Sequence, residues 1–314
     1  MASSNLKTLH PWLQENDTKL SSGGTLKSYS HDNGSDPIFC IVHGYPQSSY
    51  MWRHVLPAWK PHASLFIPEL PGYGLSSLPP DPSKRAIAHQ ILSALQTVLP
   101  TSPARPIYWI AHDRGARIGH RLLTSPSPPP NLRAAVLMDI VPTLAQWRAF
   151  ANPAAATAYF HWPFLATASA PDAIEGMGGA AFCRMILARG RGGNALGAQR
   201  IDADDAYAHY ASIFDGRDAI RGSCADYAEG SVPECEAQEA EQRAGRKVGL
   251  PVLVVYSEGS LGRMHDVEGV WREWVEEGKV ELLGVGNGHG HYLPESADGV
   301  VAEGVLGFVR KHSG

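Results

Sequence analysis

Short apolar runs alternate along the chain with longer segments in which apolar residues recur at helical spacing. Residues 83–99 carry such a helical stripe, with Ile87, Ile91 and Leu95 among its apolar positions, and this spacing predicts an amphipathic helix. The short apolar runs predict buried strands, which are residues 26–29, 37–42, 65–67, 106–110, 133–138, 251–256 and 280–285. The alternation predicts an α/β fold with a mostly parallel central sheet and helices on both faces.

Strand signals stop after residue 138 and do not resume before residue 251. The intervening chain is rich in Ala and Gly with broken helical patterns, which predicts a mostly helical cap inserted over the sheet. The predicted division is residues 1–142 and 237–314 for the core and 143–236 for the cap. Residues 234–247 are charged and predict a solvated surface segment. A last helix is predicted at 300–310.

The composition is that of an ordinary soluble enzyme, with 314 residues, 44% hydrophobic, 18% charged and a formal net charge of -4. This mild acidity argues against binding to nucleic acid or anionic membranes. No apolar run approaches the roughly 18 residues of a membrane span. The four cysteines lack metal-like or disulfide-framework spacing, and residues 1–19 lack a secretory core. We therefore expect a cytoplasmic protein with reduced thiols, a small-molecule partner, and neither metal nor cofactor.

The stretch Ala-His-Asp-Arg-Gly at 111–115 lies between the predicted strand 106–110 and a helix-forming run. This small-x-Asp-x-Gly pattern has the shape of a nucleophile elbow of the α/β-hydrolase fold, with Asp113 where esterases carry serine. Small flanking residues let the chain turn sharply, so that the central side chain points out above the sheet edge. The elbow and the inserted cap together predict an α/β-hydrolase fold.

An aspartate at this position selects a particular chemistry. A carboxylate can displace a leaving group from a saturated carbon and become an ester, whose carbonyl water can then attack. A serine would become an ether, which has no hydrolytic exit at neutral pH. The carboxylate also needs no base to activate it, so a histidine is free to activate water in the second step. Asp113 therefore predicts dehalogenation or epoxide opening.

The other groups of a hydrolase follow predicted strand ends. The turn after strand 37–42 predicts the backbone N–H of Tyr45 as one oxyanion donor, and the N–H of Arg114 as the second. His291, after the last strand, is predicted as the base in preference to His289. Position in the sequence alone does not decide which carboxylate is the acid partner of His291. Asp139 ends the strand after the elbow, whereas Glu258 follows strand 251–256, the more usual place in hydrolases.

Five motifs resemble those of the fluoroacetate dehalogenases, the Asp-nucleophile hydrolases that act on 2-haloacetates. They are Asp-Arg-Gly-Ala-Arg at 113–117, His-Gly-Tyr-Pro-Gln at 43–47, Asp-Ile-Val-Pro-Thr at 139–143, His-Trp-Pro-Phe-Leu at 161–165 and Cys-Ala-Asp-Tyr at 224–227. The resemblance runs from His43 almost to the C-terminus and includes the cap. It implies a hydrolytic dehalogenase of 2-haloacids that works through an ester on Asp113. Relatives are often homodimers, so it also implies a possible homodimer.

The same resemblance implies roles for further residues. It implies Asp139 as the acid, and Arg114 and Arg117 as the binding site for the substrate carboxylate. Two guanidiniums suit a carboxylate because they neutralise it and bind it with directed hydrogen bonds. The resemblance implies that the departing halide is bound by His161, Trp162 and Tyr227. Each offers an N–H or O–H to an anion that develops as the carbon–halogen bond breaks.

One departure from the family affects the substrate. Residues 186–190 resemble a family stretch that carries a tryptophan, and this chain has none there. A missing tryptophan near Gly190 predicts a roomier site. It favours 2-haloacids larger than fluoroacetate, or another electrophile that carries a carboxylate, and leaves the physiological substrate open.

Two other functions remain open. An epoxide hydrolase would use the same nucleophile and would need cap tyrosines as donors, for which Tyr159, Tyr207, Tyr210 and Tyr227 are available. Arg114 stands where epoxide hydrolases commonly have an aromatic residue, which disfavours the epoxide hydrolase hypothesis. A non-catalytic hydrolase-fold binder is disfavoured because the nucleophile, base, acid and oxyanion turns are all retained.

Overall fold

The apolar runs form strands of one central sheet, most of which are buried on both faces. The computed structural model describes residues 5–34, 37–100 and 105–313. Its strands are β1 Gln14–Lys19, β2 Thr25–His31, β3 Ile38–Val42, β4 Ser64–Pro68, β5 Ile107–His112, β6 Leu132–Met138, β7 Val252–Ser257 and β8 Val280–Val285. Their order in the sheet is β1-β2-β4-β3-β5-β6-β7-β8.

Parallel pairing dominates this sheet. Only the pairs β1–β2 and β2–β4 are antiparallel among the described strands, and the remaining neighbours are parallel. Every residue of β3, β4 and β5 is buried, as expected for parallel strands covered by helices on both faces. The predicted fold class, a mostly parallel α/β sheet, is confirmed.

Helices cover the sheet and fill the segment between β6 and β7. They are α1 Leu6–Leu9, α2 Leu56–Trp59, α3 Lys84–Val98, α4 Arg114–Leu123, α5 Thr143–Ala149, α6 Pro153–Ala158, α7 His161–Leu165, α8 Ala170–Met177, α9 Gly179–Gly190, α10 Ala195–Asp202, α11 Ala206–Phe214, α12 Arg217–Glu229, α13 Val232–Arg243, α14 Leu261–Met264, α15 Val267–Trp274, α16 Leu293–Ser296 and α17 Asp298–Lys311. Short 3-10 turns lie at Ser49–Trp52 and Ala203–Asp205. In the described part of the chain, no helix has both the length and the apolar character needed to cross a membrane.

The two helices predicted from periodicity and position are present. In α3 the apolar stripe faces inward, with Ile87, Ile91 and Leu95 buried, and the Ser83 side chain caps the N-terminus by accepting from the N–H of Ala86. The last predicted helix is α17. Both agree with the predicted bounds to within two residues at each end.

The polar edge strand β1 was not predicted. Its sequence is Gln-Glu-Asn-Asp-Thr-Lys, and Thr18 is its single buried residue. The strand forms because its backbone pairs antiparallel with β2, from Gln14 opposite Ser30 to Lys19 opposite Thr25. A hydrophobic pattern cannot reveal a strand that is held by backbone hydrogen bonds at a solvated edge.

The prediction that residues 234–247 form a solvated segment is wrong for one face of α13. Glu234, Gln238 and Glu241 are buried there. Glu234 pairs with the buried Lys84, and Glu241 pairs with Arg121. Buried carboxylates require charged partners, and those partners come from α3 and α4, far away in sequence.

The segment from α5 to α13 corresponds to the predicted cap. Helix α13 crosses the second boundary of the predicted division, because it extends from Val232 to Arg243. The division into core and cap domains stays a prediction.

Gly222 of α12 lies where the helical insertion contacts the core. A Cβ at Gly222 would lie 2.0 Å from the carbonyl oxygen of Gly72, in the turn after β4. We expect Gly222→Ala to lower the free energy of unfolding by about 1–3 kcal/mol, because the backbone of the turn cannot move aside cheaply. Urea denaturation followed by circular dichroism measures the change.

Gly307→Ala in α17 is the matched control, because a Cβ at Gly307 would meet nothing within 4 Å. The control should be neutral or stabilising by up to about 1 kcal/mol, since alanine favours helix. Equal stability of the two variants would contradict the close helix–turn contact.

Candidate active site

Asp113 occupies a sharp turn between β5 and α4. Its backbone angles are φ 47° and ψ -113°, a strained conformation for a residue other than glycine. Two glycines allow the neighbouring chain to approach. A Cβ at Gly44 would lie 2.5 Å from the Cβ of Asp113, and one at Gly115 would lie 2.5 Å from the carbonyl oxygen of Val42. This is the geometry predicted for a nucleophile elbow.

The carboxylate of Asp113 is held by the turn after β3 and faces a histidine. Its Oδ1 accepts a hydrogen bond from the backbone N–H of Tyr45 at 2.8 Å. Its Oδ2 lies 3.7 Å from Nε2 of His291. Burial alone would raise the pKa of Asp113, but the charges of His291, His112 and two nearby arginines outweigh burial and hold that pKa below its ordinary value. The group is therefore ionised at neutral pH.

His291 is hydrogen-bonded to Asp139. The distance from His291 Nδ1 to Asp139 Oδ2 is 2.6 Å, and Oδ1 of Asp139 accepts from the N–H of Ser257 at 2.8 Å. Burial would lower the pKa of His291, but the hydrogen bond and charge of Asp139 raise it above its ordinary value. Nδ1 is thereby occupied, and Nε2 is the ring nitrogen turned toward Asp113.

The alternatives that the sequence left open lie elsewhere. Glu258 is exposed, and its carboxylate lies against the backbone of β8 at Gly284, where an added Cβ would meet Oε1 at 2.6 Å. The ring of His289 lies beside Gly197 in α10. Neither residue lines the cavity above Asp113. Of the two carboxylates that the sequence left open, Asp139 is therefore the one that contacts His291.

A cavity of about 470 Å³ lies between the carboxyl ends of the strands and the helical insertion. The core contributes Asp113, Asp139 and His291 to its lining, and the insertion contributes aromatic side chains and Gly190. Its volume falls in the range of roughly 300–1,000 Å³ that is typical of small-molecule sites. In the described ranges, no three His, Cys, Asp or Glu side chains gather so that they could hold a metal ion.

The structure brings together the three residues that the resemblance linked to halide binding. His161, Trp162 and Tyr227 all line the cavity. The ring centroids of His161 and Tyr227 are 5.9 Å apart, and those of Trp162 and Tyr227 are 5.6 Å apart. Burial lowers the pKa of His161 to about 3, so its imidazole is neutral and has one N–H to donate.

Arg117 lines the cavity as a buried guanidinium. Its Nη1 donates to the carbonyl of Val141 at 2.7 Å, and its Cζ lies 4.3 Å from the ring centroid of Trp162. No carboxylate of the described residues lies within ion-pair distance of it, and its Nε has no partner there. Burial and the charge of Arg114 lower its pKa to about 10. Arg117 still carries its charge at neutral pH.

The resemblance implied that Arg114 binds the substrate carboxylate together with Arg117, but the structure places the Arg114 side chain away from the cavity. This side chain does not line the cavity. Its Nε and Nη2 donate to the two carboxylate oxygens of Asp226 at 2.6 and 2.8 Å, in a bidentate pair. Asp226 in turn lies 3.4 Å from the buried Lys84. The charge of Arg114 is therefore already neutralised within the protein, and of these two arginines Arg117 is the one that lines the cavity.

Sequence reasoning missed Gln146, which lines the cavity and is fully buried. The residue lies on α5, three positions after Thr143 of the Asp-Ile-Val-Pro-Thr motif. A polar side chain one helical turn beyond a motif at a strand end was the signal that could have revealed it. Gly190 also faces the cavity, and a Cβ there would lie 2.8 Å from the ring of Tyr292.

Residues 37–259 match the family model of the alpha/beta hydrolase fold. The chain belongs to this family. Fluoroacetate dehalogenase of Burkholderia sp. is 31% identical to this hydrolase over 245 residues, which cover 76% of this chain and 77% of that protein. A haloalkane dehalogenase of Bradyrhizobium diazoefficiens is 27% identical over 128 residues, 40% of either chain.

A solved structure from Pseudomonas aeruginosa, described as that of an epoxide hydrolase mutant, superposes on this hydrolase with a TM-score of 0.83 and 29% identity. The match covers 96% of this chain and 97% of that one. The resemblance to fluoroacetate dehalogenases and their epoxide hydrolase relatives, inferred from the motifs, is thus confirmed. At these identities, the reaction itself has to be argued from the site.

Asp139→Asn should lower the pKa of His291. Burial lowers the pKa of this imidazole, and the Asp139 carboxylate raises it. Without the negative charge of Asp139, the lowering effect of burial prevails. The acid limb of any activity that needs the neutral imidazole should therefore move to lower pH. NMR titration of the His291 ring, assigned with a His291→Gln variant, measures the pKa.

Glu258→Gln is the control for this titration, because Glu258 is exposed and lies outside the cavity. It should leave the pKa of His291 unchanged. A pKa that responds to Glu258→Gln and not to Asp139→Asn would contradict the assignment of Asp139 as the partner.

Proposed function

We propose that this hydrolase removes a halide from a 2-haloacid through an ester on Asp113. The substrate carboxylate binds Arg117, and a carboxylate oxygen of Asp113 attacks the α-carbon as the carbon–halogen bond breaks. The halide leaves toward His161, Trp162 and Tyr227. A 2-hydroxyacid is released when the ester is hydrolysed.

In the second step, His291 takes a proton from water and the resulting hydroxide attacks Cγ of Asp113. Asp139 holds the imidazole in place and stabilises its cationic form. The backbone N–H groups of Tyr45 and Arg114 are the proposed donors to the oxyanion. Collapse of that intermediate expels the product oxygen, which takes up the proton from His291. Asp113 is left as a carboxylic acid and returns to the carboxylate by losing its proton to solvent.

The buried Arg117 is the observation that carries this proposal. A guanidinium inside a protein normally has an anionic partner, since an isolated buried charge is costly. Arg117 has no carboxylate in ion-pair contact within the described residues, yet it shares a cavity with an ionised Asp113. A carboxylate ligand would supply the missing charge and would hold its α-carbon near the nucleophile. A neutral haloalkane would leave the cation unpaired.

The size of the cavity supports substrates larger than fluoroacetate. A cavity of about 470 Å³ has room for more than a two-carbon acid. We therefore favour 2-haloacids with a longer chain. The core and cap division, the homodimer and the cytoplasmic location stay predictions.

Epoxide hydrolysis is the second candidate, and one observation favours it. Tyr159 and Tyr227 both line the cavity, so two phenols of the insertion are available to an epoxide oxygen. The other two candidate donors are not, because Tyr207 and Tyr210 lie outside the lining. An unpaired cation beside the nucleophile makes neutral epoxides the less suitable substrates.

Arg117→Met should lower kcat/KM for 2-chloropropanoate by about 30-fold to several thousand-fold, the usual effect of removing one partner of a buried charge pair. Turnover of the neutral 2-chloropropanamide should fall much less. Chloride release measures both activities, and diol formation from styrene oxide measures the second candidate. The exposed Arg133 of β6 provides the control Arg133→Met, which should leave all rates unchanged.

Full acid turnover in Arg117→Met would contradict the proposed carboxylate site. Diol formation from styrene oxide by the wild type, without halide release from any 2-haloacid, would establish the second candidate instead.

A further inference from the structure

Gln146 is a buried amide without a partner. None of its side-chain surface is exposed, and neither its Oε1 nor its Nε2 has a hydrogen-bond partner in the structure. Buried amide groups are normally paired, because leaving a donor or an acceptor unpaired is costly. Gln146 lines the cavity that contains Asp113, so the partner of this amide is expected to be a ligand.

The amide lies on the same wall as Arg117. The carbonyl of Val141 accepts from Nη1 of Arg117 at 2.7 Å, and the carbonyl of the next residue, Pro142, accepts from the backbone N–H of Gln146 at 3.0 Å. Helix α5 thus begins against Arg117 and carries Gln146 into the cavity. A ligand that is anchored on Arg117 therefore lies in the cavity that Gln146 also lines.

The two unpaired atoms of Gln146 need different hydrogen-bond partners. Nε2 donates hydrogen bonds, whereas Oε1 accepts them. The carboxylate and halogen of a simple haloacid can only accept, so they would leave Oε1 unpaired. A hydroxyl group both donates and accepts, and it can pair with the acceptor that a simple haloacid leaves over.

We infer that Gln146 recognises a hydroxyl group on the carbon chain of the substrate, and that the preferred substrates are 2-haloacids bearing a hydroxyl beyond the α-carbon. This inference rests on the proposed function for the identity of the substrate, but the amide subsite itself can be tested by binding alone. The cavity, at about 470 Å³, has room for the longer chain.

Binding of an isosteric pair tests the subsite. Titration calorimetry of the intact protein with 3-hydroxypropanoate and with butanoate compares a hydroxyl with a methyl group on the same carboxylate. The wild type should bind 3-hydroxypropanoate about 5- to 150-fold more tightly. Gln146→Met, which keeps the chain length and removes the amide, should abolish that preference while butanoate still binds.

Gln90→Met is the matched control, since Gln90 lies on α3 and does not line the cavity. It should keep the wild-type preference. Equal binding of the two acids by the wild type, or a preference that survives Gln146→Met, would overturn the inference. Should Gln146→Met fail to fold, the wild-type comparison alone still decides the question.

Chloride release from 2-chloro-3-hydroxypropanoate and 2-chlorobutanoate separates this inference from the proposed function. A higher kcat/KM for the hydroxylated acid, lost in Gln146→Met, supports both. Equal turnover of both acids overturns the inference and leaves the dehalogenase. A hydroxyl preference in binding without chloride release from either acid overturns the dehalogenase and leaves the subsite.

Discussion

The close approach of two turns at the edge of the sheet governs the rest of the site. The turn after β3 passes so near the turn after β5 that neither Gly44 nor Gly115 has room for a side chain. This contact brings the N–H of Tyr45 to the carboxylate of Asp113 at 2.8 Å. It also stabilises a positive φ at Asp113 that would otherwise cost about 1–3 kcal/mol. The cavity, the histidine and the insertion are all arranged around a carboxylate placed in this way.

Charge then distinguishes two arginines that are three residues apart on α4. Asp226 binds Arg114 through both oxygens, which makes that arginine part of the contact between the core and the insertion. Arg117 donates to a backbone carbonyl and packs against an aromatic ring. Its charge is therefore free to act on ligands, and it also helps to keep Asp113 ionised. The same guanidinium thus lines the cavity and lowers the pKa of Asp113.

Local patterns were sufficient to predict most of the fold and the sharp turn at Asp113. Buried parallel strands are short apolar runs, and the elbow is a contiguous stretch that ends at Gly115, so both can be recognised without knowledge of the tertiary structure. The strand β1 and the buried face of α13 could not be recognised in this way. Backbone pairing with β2 holds the first, and ion pairs with Lys84 and Arg121 hold the second. Both depend on residues that are distant in sequence.

The same reasoning explains which parts of the candidate site could be predicted. The order of Asp113 and His291 along the chain follows from the order of strand ends, and the structure brings the two side chains to within 3.7 Å of each other. The choice between Asp139 and Glu258 needed the direction of each side chain, and one of them contacts His291 at 2.6 Å. The role of Arg114 depended on Asp226, which lies 112 residues away. Gln146 was recognised only in the structure, where its side-chain amide has no hydrogen-bond partner.

A single turnover in 18O-labelled water tests most directly whether the Asp113 carboxylate bonds to the substrate. With enzyme in excess over a 2-haloacid, mass spectrometry of the peptide that contains Asp113 locates the label. An ester intermediate predicts that 18O enters the Asp113 carboxylate while the first product molecule stays unlabelled. Label in that first product, with an unlabelled Asp113, would contradict the account.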